Sequence, residues 1–144
     1  NVSEEKVALF FCAALVYDAG FLDIEPDLFR MEILSGAERK RIKTHVQVST
    51  LYYDFIPKED LSTFYEAATL HHENMDGSGY PEGLLGQNVP LIARIIHVAE
   101  SFVSLTSKRT YHKILSPAAA VEELRKKSNI YDSRIVESLA KIVK

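Results

Sequence analysis

Apolar residues recur along this chain at steps of three and four, and no segment sustains a one-for-one alternation of apolar and polar residues. That spacing lines apolar side chains up on helix faces and leaves no strand pattern. The dipeptide Asn-Gly, a strong hairpin signal, does not occur. The expected fold is therefore all-α, a compact single-domain bundle of roughly six or seven helices. With 144 residues, the chain can bury one real core.

Start and stop signals come in order. Ser3, with Glu4 and Glu5, suits a helix start, because acids stabilise the positive end of the helix dipole. This helix should run to about Asp18, with Gly20 as its stop. It is apolar nearly all round, which predicts burial on most sides and a buried Cys12. Pro26 can open a short helical turn through Phe29. Ser35-Gly36-Ala37-Glu38 is a capping box and predicts one helix over 35–55. On it, Ile42, His45, Ser49 and Tyr52 share a face, so His45 points where the apolar residues point. Pro57 breaks the chain, and Leu61, Phe64, Ala68 and His72 mark the next inward stripe, with His71 beside it.

Pro90 begins a helix through about Thr106, with Leu91, Ile95, Val98, Phe102 and Leu105 as its core stripe and Glu100 off that stripe. Ser116-Pro117 opens a further helix that ends near Lys126-Lys127. Asp132 can cap the last one, with Ile135, Leu139 and Ile142 inward.

Charge and cysteine content narrow the function classes. A net charge of −3 argues against a general binder of polymeric nucleic acid. The basic run Arg39-Lys40-Arg41-Ile42-Lys43 reads as a solvated helix face. One cysteine makes no internal disulfide, which points to a reducing, cytoplasmic setting. The apolar run around Cys12 is shorter than the roughly 20 residues that span a bilayer, so no membrane insertion is expected. The first residue is Asn1 rather than Met, so the chain is expected to be an excerpt of a longer one.

The chemistry-bearing stretch is 71–94. Two adjacent histidines close an apolar segment, and a turn-rich loop follows with Asp76, Gly77, Gly79, Pro81, Gly83 and Gly86. So many glycines and prolines in so few residues predict a loop of defined shape. Asp18, His45, His71, His72 and Glu100 are ionisable residues expected at inward positions. Burying such groups is costly unless they are paired or bind a metal. Imidazole with carboxylate suits zinc, iron, manganese or nickel. The plainer readings stand beside this one: His45 as a satisfied core histidine, the pair as a helix C-cap, Asp18 as a turn residue. Adjacent helical residues also point about 100° apart, so His71 and His72 reach one centre only where a helix end abuts it.

The stretch His71-His72-Glu73-Asn74-Met75-Asp76-Gly77-Ser78-Gly79-Tyr80-Pro81-Glu82-Gly83-Leu84, followed by Pro90-Leu91-Ile92-Ala93-Arg94-Ile95, resembles the signature of HD-GYP domains. These are all-α members of the HD metal-dependent phosphohydrolases, and active ones hydrolyse cyclic di-GMP. The likeness continues upstream in Leu34-Ser35-Gly36-Ala37-Glu38 to His45, and downstream in Ala99-Glu100-Ser101-Phe102 to Tyr111. It spans nearly the whole of 1–144.

By this resemblance, Asp18, His45, His71 and His72 match the ligands of one metal ion. Glu100 stands where the family has an aspartate belonging to a neighbouring ion. Arg109 matches an arginine that contacts the ligand's phosphate, and His112 is a weaker match to a basic position beside it. The family dyad of histidine and aspartate is Tyr17-Asp18 here, and its phosphate-facing lysine is Phe21. The family also draws ligands from an upstream helix that lies before Asn1.

The resemblance thus implies a degenerate HD-GYP domain in bacterial cyclic di-GMP signalling, with one divalent ion, acting by binding a nucleotide or a partner. The alternative is an active metal-dependent phosphodiesterase with an altered site. The loop residues Asp76, Gly77, Gly79, Tyr80 and Pro81 match the family surface linked to docking of GGDEF-type domains. No residue is singled out as catalytic.

Overall fold

The computed structural model describes residues 2–48, 50–108 and 114–143. Among them are six α-helices and five short 3-10 turns, and the one extended pairing is an isolated antiparallel bridge between Asp76 and Leu85. The chain is all-α. It groups into two compact units, 1–70 and 71–144.

In the first unit, α1 spans Glu4–Val16, and the Ser3 hydroxyl accepts from the Lys6 N–H at 3.3 Å. One face packs on α3 (Leu61–Leu70), with Ala13 fully buried. The expected burial on most sides does not occur. Val7, Phe11 and Leu15 are exposed, and so is Cys12. A helix apolar all round has one covered face when a single helix of its unit packs on it.

The capping box forms in both directions. Ser35 Oγ accepts from Glu38 N at 3.3 Å, and Glu38 Oε2 accepts from Ser35 N at 2.6 Å. The helix it opens, α2 (Gly36–Lys43), ends well short of position 55. Beyond it the chain tightens into 3-10 turns at Thr44–Val46 and Thr50–Tyr53. Residues 44–50 are Thr, Val, Ser and His apart from Gln47, all weaker helix formers. The Thr44 hydroxyl also donates to the Arg41 carbonyl at 2.7 Å, a local bond that competes with helix continuation. His45 is therefore not on the stripe of a long helix. It is buried because the Thr44–Val46 turn lies against a turn at Ala19–Asp23. Gly20 makes that approach possible: a Cβ there would stand 1.7 Å from the His45 carbonyl oxygen. Arg41 fastens the edge, donating to Glu25 Oε2 at 2.9 Å and to the Asp23 carbonyl at 2.6 Å.

In the second unit, α4 (Leu91–Thr106), α5 (Pro117–Lys126) and α6 (Ser133–Ile142) enclose Val98, Val121, Leu124 and Val136. Phe102, Leu105, Tyr131, Ile135 and Leu139 pack around this cluster. Each fully buried aliphatic side chain contributes about 1.5–3 kcal/mol relative to exposure. Ile142, expected inward, is 80% exposed, because the last turn of α6 runs past the cluster. A buried ion pair locks the far side: Arg94 Nη1 donates to Asp132 Oδ2 at 2.6 Å and to Gln87 Oε1 at 3.0 Å. Asp132 also caps α6 through the Arg134 N–H. No described helix is long and apolar enough to cross a membrane.

Candidate metal centre

The first unit supplies one carboxylate and one imidazole. His45 is buried, and its Nδ1 lies 2.7 Å from the Ile42 carbonyl oxygen. A carbonyl only accepts, so Nδ1 carries the proton and donates. In the neutral ring the lone pair is then on Nε2, the form in which histidine ligates metals. Nε2 faces Asp18 Oδ1 at 3.8 Å. That is too long for a hydrogen bond. It is a fitting separation for two donors that each stand about 2.0–2.2 Å from one ion. Burial pushes the Asp18 carboxyl above its ordinary value, against the charge of His45 and a hydrogen bond donated by Tyr17. Phe21 lies flat on His45, with ring centroids 4.1 Å apart and planes 9° apart, and meets Phe29 edge-on at 5.5 Å.

The second unit supplies the histidine pair. Helix α3 stops at Leu70, so His71 and His72 sit in the turn beyond it and escape the helical 100° separation. Their rings are 4.2 Å apart, and one nitrogen of each lies within 4.8 Å of the other. Small ring rotations bring two such donors within coordination distance of one ion. His71 is fully buried, whereas His72 is half-buried beneath Tyr80, with centroids 4.8 Å apart and planes 23° apart.

The loop has a defined shape. Gly77, Gly83 and Gly86 have positive φ, and the Tyr80–Pro81 bond is cis. Gly79 rests directly on the backbone of 72–74, where a Cβ would come within 2.3 Å of Asn74 N. Asp76 is a brace for the loop: Oδ1 accepts from the Ser78 N–H and hydroxyl, and Oδ2 accepts from Asn129 at 2.8 Å. Tyr80 is half-buried and Pro81 exposed.

Glu100 is half-buried and lines a cavity of about 250 Å³ with His72, His97, Ser104, Lys127 and Tyr131. Burial holds His97 below its ordinary value, against a hydrogen bond to the Glu73 backbone. Arg109 and His112 lie outside the described residues. Reasoning from sequence missed His97, although it stands three residues before Glu100 and so on the same side of α4. It also passed over Glu73, whose only signal was its place directly after the histidine pair.

A family model described as HD domain matches residues 1–135. The chain is 34% identical over 146 residues to the cyclic di-GMP phosphodiesterase response regulator RpfG of Xanthomonas campestris, covering 96% of this chain and 37% of that protein. It is 32% identical over 147 residues to a cyclic di-GMP phosphodiesterase of Thermotoga maritima, covering 100% of this chain and 40% of the relative. A 3'3'-cGAMP-specific phosphodiesterase 2 of Vibrio cholerae is 29% identical over 142 residues, covering 96% of this chain and 27% of that protein. The chain thus spans less than half the length of these curated relatives. With the family model along 1–135 and the motif of 71–84 intact, the chain belongs to the HD domain family, as an HD-GYP domain.

Proposed function

We propose that this domain binds cyclic di-GMP through one divalent ion held by Asp18, His45, His71 and His72, and hydrolyses it very slowly or not at all. The observation that carries this reading is the Phe21 ring stacked on His45. The HD-GYP pattern has a phosphate-facing lysine at that position. Here an aromatic side chain packs against a proposed ligand and Phe29, and it offers no donor to a phosphate oxygen. Removing one preorganised donor typically costs about 10²–10³ in rate.

Tyr17 supports the same conclusion. It stands where the family has a ligand histidine, and its hydroxyl donates to Asp18. A phenol is largely protonated near pH 7, so that position presents a proton to Asp18 and not a second ligand to a second ion. The donor set of one carboxylate and three imidazoles suits a divalent iron, manganese, zinc or nickel ion. Such an ion would supply positive charge to a phosphate oxygen of the dinucleotide. Asp18, His45, His71 and His72 would hold it. By the resemblance, Glu100 is proposed to stand at the position of the neighbouring metal ion, Arg109 to contact a phosphate of the nucleotide, and the loop at 76–81 to dock a GGDEF-type partner.

The second reading is an active phosphodiesterase. It is favoured by the names of the relatives, two of them cyclic di-GMP phosphodiesterases and one specific for 3'3'-cGAMP. Equilibrium dialysis of labelled cyclic di-GMP, with and without Mn²⁺, tests the binding proposal. Saturable binding that needs the metal and is lost in His45→Ala is expected. No binding by the metal-saturated protein would overturn it.

A further inference from the structure

The carboxylate of Glu73 is enclosed, with the residue only 1% exposed, and it is spent entirely on the loop. Oε1 accepts from Glu82 N at 2.6 Å and Gly83 N at 3.1 Å, and Oε2 accepts from Leu84 N at 2.9 Å. Three successive backbone N–H groups converging on one anion make a nest of the kind that elsewhere holds a phosphate. Here the anion belongs to the chain itself. Bonds from neutral donors to an ionised acceptor are roughly twice as strong as neutral pairs, so this anchor dominates its limb of the loop.

The other limb is fixed on the residue before. Tyr80 N donates to the His72 carbonyl at 3.2 Å, and Gly79 lies against the 72–74 backbone. The Tyr80 ring then covers His72. Only Pro81 separates the Tyr80 anchor from the Glu82 anchor. A shift of the Glu82–Leu84 limb is therefore transmitted across one residue to the ring that covers His72. The backbone of Glu73 meanwhile holds His97, which lines the same cavity as His72.

We infer that Glu73 is a positioning residue: its buried carboxylate, by clamping the backbone of Glu82, Gly83 and Leu84, sets the Tyr80 ring on His72 and so fixes the direction in which His72 presents its ligating nitrogen. It touches neither metal nor nucleotide. The carboxylate is needed as such, because a Gln in its place would turn an NH₂ donor toward one of three N–H donors. The metal arm of the test below rests on the proposed function, and the imidazole arm does not.

The experiment compares wild type, Glu73→Gln and Val136→Ala, the last a core truncation away from the loop. Urea unfolding, imidazole ¹H–¹⁵N spectra of the metal-free protein and Mn²⁺ titration are measured on each. Glu73→Gln is expected to keep cooperative unfolding, to shift the His72 ring resonances, and to weaken metal binding by about 10–100-fold, the usual range for a group that orients a ligand. Val136→Ala, at comparable loss of stability, should leave the His72 resonances and the metal affinity unchanged. Unshifted His72 signals in Glu73→Gln, or an equal shift in Val136→Ala, would overturn the inference. Should Glu73→Gln fail to fold, Tyr80→Leu reads the same route, since it keeps the Glu73 anchor and removes the ring. His72 unmoved in Tyr80→Leu overturns the inference as well. A wild type that binds no metal while Glu73→Gln still shifts His72 sinks the proposed function and leaves this inference standing.

Discussion

Gly20→Ala is the perturbation whose consequence follows most directly from distance. The new Cβ would lie 1.7 Å from the His45 carbonyl oxygen and 2.7 Å from its carbon, and real Cβ contacts essentially never fall under 3.0 Å. Both obstacles are backbone, so no rotamer relieves them. The Ala19–Asp23 turn must withdraw from the Thr44–Val46 turn by about 1.3 Å, the difference between 3.0 and 1.7 Å. Asp18 directly precedes the first turn and His45 is in the second, so their 3.8 Å separation opens with it. Ligand constellations tolerate displacements of about 0.5 Å, so a shift of this size exceeds the tolerance more than twofold. Overpacking of this kind costs about 1–3 kcal/mol, and a backbone-to-backbone clash belongs at the upper end.

Gly36→Ala is the matched control. It lies at the start of α2 with nothing within 4 Å of its added Cβ, and should stabilise by about 0.4–1 kcal/mol. Urea unfolding should separate the two variants by a midpoint shift at unchanged slope. Mn²⁺ titration should show at least tenfold weaker binding in Gly20→Ala alone. Equal stability and equal metal affinity in the two variants would refute the reasoning.

Further outcomes follow from the same packing. Asp132→Asn leaves Arg94 buried without its countercharge and should cost about 3 kcal/mol. The Arg134 guanidinium, and then Arg94, hold the Asp132 carboxyl below its ordinary 3.8 despite burial. A depressed folded-state value stabilises fully above 3.8 and loses that contribution as pH falls through the folded-state value. The gap between wild type and Asp132→Asn, read from urea midpoints, should therefore close on acidification below about pH 3.8, and a constant gap would count against the ion pair. Replacing Gly79 and Pro81 together should weaken capture of a GGDEF domain in a pull-down while leaving helical circular dichroism unchanged, and undiminished capture would remove the loop as the docking surface. Installing Tyr17→His with Phe21→Lys should raise hydrolysis of cyclic di-GMP measurably above wild type, whereas no gain would mean that those two positions are not what limits turnover.

How much of this was legible depended on which force decided each element. Both caps that opened α1 and α2, Pro117 at the start of α5 and Asp132 before α6 were readable, because capping is set by residues a few positions apart. The end of α2 was misread because the apolar spacing of Ile42, His45 and Tyr52 imitates a helix, while weak helix formers and the contact at Gly20 bend the chain. The burial of α1 was misjudged for a different reason. Composition says that a helix can be buried all round, but how many partners cover it is a tertiary fact. In the site, the histidine pair and Asp18 stood out as ionisable residues on apolar segments. Glu73 did not, since nothing local announces that three N–H groups nine to eleven residues later will converge on it.

Product analysis tests the non-hydrolytic reading most directly. The protein is incubated at length with cyclic di-GMP and Mn²⁺, Fe²⁺ or Zn²⁺, and the mixture is resolved by chromatography for linear pGpG and GMP. The expected result is intact cyclic di-GMP at the level of a His72→Ala control. Metal-dependent pGpG or GMP from the wild type that is absent from that control would contradict it.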